Sequence, residues 1–415
     1  MNFYVLSLLF AIPSFAILIL IEQIISKFKK VEVNNHEDMI SSLSSGMTNI
    51  ISDVFKLSFV LVSYGWLVDN LAIESLSIEN QWLSILIAFI VLDFTGYWMH
   101  RLSHRVNIFW NRHIIHHSSE EFNLSCALRQ SVSHAFKFSA ILMIPAAVMG
   151  INKEVFIVLA PIHLFMQFWY HTRLIDKMGF LEYVIVTPSH HRVHHAINPE
   201  YIDKNYGQIL IIWDKIFNTF QIELENIKPV YGVLRPVSTW NPLVINFKHI
   251  FQLFKDAWNT KFIIDKVKIW FMPTGWRPSD LDKKSPLKYI SDPLRLVKYK
   301  TNNSNVKLFW IWTQYFLGVI MMFHLFLIMD VDKILLNDYV YALFIMMHIF
   351  SYTSALDKSN LSIYSEMLKV ILGLVMLILF KPNIYFIFML TTYFIISLII
   401  AFNFSHIRYK NKIIV

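Results

Sequence analysis

Residues 82–104 read WLSILIAFIVLDFTGYWMHRLSH. The run Trp82–Met99 is apolar over a length that can cross a bilayer, with Asp93 as its one acid. It leads straight into His100-x-x-x-His104, whose i, i+4 spacing puts both imidazoles on one face of a helix. A span that carries two imidazoles to its own end sets fold and chemistry together: an all-α, multipass transmembrane protein with a histidine-rich helical cap at the membrane edge.

Two more clusters follow, His113-x-x-His116-His117 and His191-x-x-His194-His195. Twelve of the seventeen histidines lie between His100 and His195, where even scatter would leave about four. Neutral imidazole is the commonest transition-metal ligand at physiological pH. The eight imidazoles of these clusters exceed the three or four donors that one tetrahedral zinc takes, and they suit two metals. All-histidine ligation suits iron in oxygen chemistry, and the His-Glu-x-x-His motif of membrane zinc hydrolases is absent. His171 is a candidate ninth ligand; His134 and His163 are weaker ones. His190 adjoins the third cluster, but the x-x-His-His spacing belongs to His191. Isolated His36, His249, His324, His348 and His406 are read as structural.

Asp93 lies seven residues before His100, on the same helix face, and is expected to hold a ligand imidazole by its second N–H. Its plain alternative is a paired buried acid, although a charge within a span is costly and usually functional. Tyr97 and Trp98 read as interface aromatics. Glu120 and Glu121 read by default as solvated surface, the alternative being contacts to a ligand histidine or to the polar head of a substrate.

The composition agrees with lipid as solvent. Of 415 residues 55% are hydrophobic and 16% charged, against roughly 25% charged in soluble domains. The single cysteine, Cys126, excludes an internal disulfide framework and a thiolate cluster, and no Gly-rich phosphate loop occurs. The net charge of +8 sits in loops, which reads as orientation charge and not as a nucleic-acid footprint.

Phe3–Ile21, with Lys27, Lys29 and Lys30 behind it, is expected to be a retained first span and not a signal peptide. A second span is expected over about Ile50–Ile73. The segment Phe138–Ala160, broken at Pro145 and Gly150-Ile-Asn-Lys153, is expected to be a helical hairpin ending near His171. The long polar region Arg173–Asn305 is Lys/Arg-rich and so expected to be cytoplasmic. Within it Phe247, Ile250, Phe251, Phe254 and Trp258 recur at helical spacing among lysines, as in a helix lying in the headgroup layer or one packed on the cap. Four spans close the chain, at about Val306–Met329, Leu335–Phe350, Glu366–Phe380 and Ile384–Phe402, with Arg408, Lys410 and Lys412 behind them. This divides the chain into N-terminal spans (1–90), a histidine core (91–230), an interfacial segment (231–305) and C-terminal spans (306–415).

The three clusters, in this order between spans, resemble the eight-histidine pattern of the fatty acid hydroxylase/sterol desaturase superfamily of membrane di-iron oxygenases. The flanks are most similar to its branch that acts on alkylglycerol ethers. They include Asn123-Leu-Ser-Cys-Ala-Leu-Arg-Gln-Ser131, Gln167-Phe-Trp-Tyr-His-Thr172, Asp203-Lys-Asn-Tyr-Gly207, Trp213-Asp-Lys-Ile-Phe217 and Pro273-Thr-Gly-Trp-Arg-Pro278. The resemblance implies two irons bound by His100, His104, His113, His116, His117, His191, His194 and His195, with His171 a further ligand. Gln167 stands where some relatives have histidine. It also implies O2 as co-substrate, a lipid substrate from the bilayer, and tetrahydrobiopterin or a reductase as electron donor. The implied reaction oxidises the ether-linked carbon of an alkylglycerol, releasing a fatty aldehyde. A sterol, carotenoid or fatty acyl substrate is the alternative within the superfamily. A histidine-rich metal transporter is the alternative outside it. The membrane is the bacterial inner membrane or the endoplasmic reticulum.

Overall fold

The computed structural model describes residues 3–55, 59–60, 62–133, 136–137, 139–330 and 333–413. Its architecture is helical. The strand pairing among the described residues is one two-residue parallel ladder, Phe59–Val60 with Phe136–Lys137. Twelve helices are named here: α1 (Phe3–Lys29), α2 (His36–Ser52), α3 (Tyr64–Leu71), α4 (Gln81–Arg105), α5 (Lys153–Phe165), α6 (Pro188–His194), α7 (Pro242–Asn259), α8 (Ile263–Phe271), α9 (Asn305–Ile328), α10 (Leu336–Leu356), α11 (Leu361–Phe380) and α12 (Ile384–Ile413). Among the described residues, α1, α4 and α9 to α12 are long and apolar enough to cross a membrane. The chain is an integral membrane protein.

The helices start where side chains satisfy the orphan N–H groups of a first turn. Asn80 caps α4 by accepting from Leu83 N, and Ser304 caps α9 by accepting from Lys307 N. Asn241 caps α7, with Pro242 at the first helical position.

The second expected span, Ile50–Ile73, is not one helix. α2 begins earlier, at an Asn35 cap that accepts from Glu37 N and Asp38 N, and ends at Ser52. α3 begins anew where Ser63 accepts from Trp66 N. α2 also lacks a lipid-facing composition: Ser41, Ser42, Ser44, Ser45 and Thr48 are all buried against protein. Its apolar face, Ile40, Met47 and Ile51, joins one core with Ile311, Phe344, Ile345 and Ile349 of the C-terminal helices.

The segment after Ser139 is a broken helical unit. A 3-10 turn and a short helix, Ile144–Val148, end at Gly150, whose φ of 63° suits glycine, and α5 follows. α5 packs on α4 around Ala88, Met143, Ala146, Ile151 and Phe156. The polar cap from Arg173 to Trp240 is tied mostly by side-chain hydrogen bonds and two isolated bridges, Ile185–Leu210 and Ala196–Tyr231. α7 buries Ile245, His249 and Leu253, while Phe251, Phe254 and Trp258 face outward, joined by Ile263, Ile264, Val267 and Phe271 of α8. This hairpin is fastened to the end of α4: Asn107 Nδ2 donates to Ile269 O and Trp276 O at 3.0 and 3.1 Å.

Candidate metal centre

The nine imidazoles meet at the exit of α4 as two groups. His100, His104, His113, His117 and His194 form one, and His116, His171, His191 and His195 the other; within each, one nitrogen per ring lies within 4.8 Å of all the others. Helical spacing explains the division. In each x-x-His-His cluster the i, i+4 pair (His113 with His117, His191 with His195) enters one group, and the remaining ring, His116 or His194, crosses to the other. α4 adds its own pair to the first group, and His171 raises the second from three donors to four.

Backbone carbonyls aim the rings. His100 Nδ1–H donates to Tyr206 O at 2.8 Å and His194 Nδ1–H to Lys204 O at 2.9 Å. His116 donates from Nδ1 to Arg129 O at 3.3 Å, and His171 to Gln167 O at 3.0 Å. Two of these carbonyls, those of Lys204 and Tyr206, come from the Asp203–Tyr206 segment, where Asp203 and Asn205 hold left-handed φ values of 61° and 54°. Short Asp and Asn side chains tolerate that region best among non-glycine residues.

With Nδ1 as donor, Nε2 carries a bare lone pair. Yet the Nε2 atoms face each other: His116 and His171 at 3.3 Å, His191 and His171 at 2.8 Å, His100 and His113 at 2.8 Å, His104 and His117 at 3.1 Å. His116 and His171 both donate elsewhere, so no proton lies between them, and buried lone pairs pointed at each other repel unless a cation separates them. His194 Nε2 is buried without any partner. Nitrogens about 2.1 Å from a common ion at right angles would lie about 3.0 Å apart, in the range observed. The residues present fit a pair of transition-metal ions.

Their ionisation agrees. Burial, followed by neighbouring imidazoles, holds His113, His117, His191, His194 and His195 well below the usual histidine range, and His116 likewise. Burial takes His171 down to about 3. The rings are therefore neutral donors at physiological pH without competing protons.

Several residues stand elsewhere than the sequence suggested. Asp93 holds no ligand imidazole. Its carboxylate accepts from His163 Nε2 at 2.9 Å, Ile209 N at 3.0 Å, Leu210 N at 3.1 Å and Trp213 Nε1 at 2.9 Å. Seven residues along a helix is about 10 Å, too far for it to reach the metal ligands. His163 is thus an anchor for Asp93, and Gln167 Nε2 donates to its other nitrogen at 3.0 Å. His190 turns back on its own helix start, where its Nδ1 accepts from Thr187 N at 3.4 Å. His134 lies outside the described residues. Tyr97 is no interface residue: it is fully buried, with its hydroxyl 2.9 Å from Thr219 Oγ1. Glu120 and Glu121 are not free surface either; they accept from Tyr299 N and Lys298 Nζ, both at 2.6 Å. Sequence reasoning gave no role to the residues whose carbonyls accept from the rings, Tyr206, Lys204, Gln167 and Arg129, although all four lie in the flanking stretches that carry the resemblance.

The nine imidazoles gathered at the end of one span of this integral membrane protein form two groups that could each hold a metal ion. The fatty acid hydroxylase family model matches residues 85–219, a stretch that contains all nine imidazoles. Among curated proteins it is similar to alkylglycerol monooxygenases. It is 40% identical to that of Homo sapiens over 274 residues, 65% of this chain and 59% of the human one. It is 39% identical to that of Danio rerio over 272 residues, again 65% and 59%. It is 28% identical over 145 residues to ornithine lipid hydroxylase OlsE of Rhizobium tropici, 34% of this chain and 44% of that one. The chain thus spans about three fifths of the length of the alkylglycerol monooxygenases it matches. No solved structure matches.

Proposed function

We propose that the two histidine groups hold two iron ions and that the chain is a membrane monooxygenase cleaving the ether bond of alkylglycerols. The observation that carries this reading is the convergence of nine buried imidazoles into two groups, with the Nε2 atoms of His116 and His171 facing each other without a proton between them; the similarity to alkylglycerol monooxygenases supplies the substrate class. A redox metal pair with O2 supplies the oxidising power that an unactivated C–H bond requires. The ether-linked CH2 takes one oxygen atom, and two electrons and two protons reduce the other to water. The resulting hemiacetal then loses its alcohol to give a fatty aldehyde and a glycerol product. Reduced pterin or a reductase is the proposed electron source.

The chain's own residues do the positioning. Carbonyls of Tyr206, Lys204, Arg129 and Gln167 fix ring direction and tautomer. The outward apolar face of α7 and α8, with Lys255, Lys261, Lys266 and Lys268 among it, lies in the headgroup layer beside the exit of α4. That side is the cytoplasmic one on the Lys/Arg distribution of the cap. A greasy substrate then arrives laterally while its polar head stays at the boundary.

The test is metal analysis and Mössbauer spectroscopy of the detergent-purified chain, followed by turnover of a 1-O-alkylglycerol with O2 and reduced pterin. Two coupled irons per chain and a fatty aldehyde product are expected. Two irons with hydroxylation of a sterol, fatty acyl or ornithine lipid, and no aldehyde from the ether, would replace the substrate. Zinc alone, with no oxygen uptake after iron reconstitution, would overturn the oxygenase.

A further inference from the structure

Arg129 is buried to 1% exposure on the polar face of α2. Its guanidinium donates from Nη2 to Asp38 Oδ2 at 2.7 Å, from Nε to Ser42 Oγ at 3.0 Å and from Nη1 to Ser118 Oγ at 2.7 Å. Ser118 directly follows His117, and its neighbour Ser119 donates to the other oxygen of Asp38 at 2.7 Å. The carbonyl of Arg129 accepts the Nδ1–H of His116. One residue therefore has its side chain pinned to α2 and its backbone pinned to a ring of the four-histidine group. Ser45 Oγ, donating to Gln130 O at 3.0 Å, and Asn49 Nδ2, donating to Ser131 O at 2.7 Å, fasten the next two residues to the same helix. The opposite side of α2 is embedded in the C-terminal helices, where Ser44 Oγ lies 2.6 Å from Tyr352 OH.

We propose that Arg129, clamped by Asp38, is a positioning residue for the metal of the four-histidine group, and that α2 is the strut that braces this group against the C-terminal bundle. The inference rests on the two-metal reading above. A guanidinium can hold Asp38, Ser42 and Ser118 at once because its donors are fixed in a planar fork, which a lysine ammonium lacks. Weakening that grip loosens the Arg129 carbonyl and with it the aim of His116. The five-histidine group takes no orienting bond from Arg129. Its aimed rings lean on Tyr206 and Lys204. Arg129 reaches the five-histidine group only through Ser118, beside His117, and through no ring nitrogen, so the effect is larger at the metal of the four-histidine group.

The experiment is iron titration of the full-length Arg129→Lys protein, read by iron per chain and by EPR of the oxidised form. Losing the outer partner of a metal-binding histidine typically weakens metal affinity about 10–100-fold. The expected result is one tightly held iron per chain, with the signal of an uncoupled ferric ion in place of the silent coupled pair. Two coupled irons at the wild-type affinity would overturn the proposal. So would equal weakening of both sites in a protein whose helical circular dichroism is unchanged. Should Arg129→Lys not fold, Asp38→Asn keeps the shape of the clamp and removes its charge; the same unequal loss of iron is expected, and an equal or absent loss refutes the role. If the wild-type chain itself binds fewer than two irons, it is the two-metal reading that fails, before any variant is compared.

Discussion

The molecule buries two polar clusters, and they are built on opposite principles. In the histidine site, rings spend their N–H groups on backbone carbonyls and turn bare nitrogens towards one another. In the C-terminal bundle, near the middle of α9 to α12, Lys369 Nζ pairs with Glu366 Oε1 at 2.6 Å and donates to Ser397 Oγ and Tyr393 OH at 2.9 and 3.1 Å. Tyr393 OH donates to Gln314 Oε1 at 2.6 Å, and His348 Nε2–H donates to Gln314 O at 2.7 Å. Every charge there has its opposite: Glu366 also accepts from Ser351 and Ser397, and among the side chains named here only Gln314 Nε2 is buried without a partner. The first cluster is incomplete without a cation; the second closes its ion pair with its own residues. Burial of polar groups alone thus does not mark a ligand site, whereas converging lone pairs without protons do. The contrast also bears on the transporter alternative. Its mid-membrane ionisable groups exist, but they are locked to each other instead of lining a path.

The largest effect that would break this contrast is loss of a ligand. His116→Ala and His194→Ala each remove the ring that crosses from one x-x-His-His cluster into the other group. Turnover is expected to fall by more than about 100-fold, since losing even an outer partner of a metal-bound histidine costs about 10–100-fold in affinity or activity. Oxygen consumption with an ether lipid measures it. Activity within a few-fold of wild type in either variant would mean that the ring is no ligand.

Much of this site was legible because imidazole spacing is itself geometric: i, i+4 pairs share a face whatever surrounds them. What spacing does not encode is which group the odd ring of each cluster joins, since that depends on how α4, α6 and the Ile114–His117 turn cross. Asp93 shows the limit in one dimension. Angular register put it on the face of His100, but two helical turns of axial distance gave its carboxylate to His163 and the 209–213 loop. α2 shows the limit for composition. Hydropathy located an apolar run after Ile50, but the helix start is set by Asn35, and the serine face that meets Arg129 reads as loop until its partner is known.

A smaller effect sharpens the second half of the contrast. Lys369→Met leaves Glu366 buried and unpaired, which typically costs about 3–5 kcal/mol, while replacing both members of such a pair is often neutral. Thermal or denaturant unfolding in micelles should therefore show Lys369→Met strongly destabilised and the double variant Glu366→Gln/Lys369→Met close to wild type. Equal destabilisation of the two would show that the cluster's worth lies outside the ion pair, and its self-sufficiency would fall.

Acid separates the two clusters most gently. In the metal-free chain the site histidines have folded pKa values far below that of a free imidazole, with His171 near 3, so between about pH 6.5 and 5.5 the unfolded chain takes up protons that the folded one refuses. More protons bound in the unfolded state means that stability is present above pH 6.5 and is lost as pH falls. The slope is about 1.4 kcal/mol per pH unit for each ring held neutral, in a window above the ordinary carboxylate range. Bound metal favours the same neutral rings in the folded state alone, so the iron-loaded chain should keep its plateau to lower pH. Melting temperatures of the metal-free chain at pH 7.5 and 5.5 decide the matter. A flat profile would mean that the rings take up protons while folded, and then the lone pairs that distinguish this cluster from the bundle's closed network would not be bare.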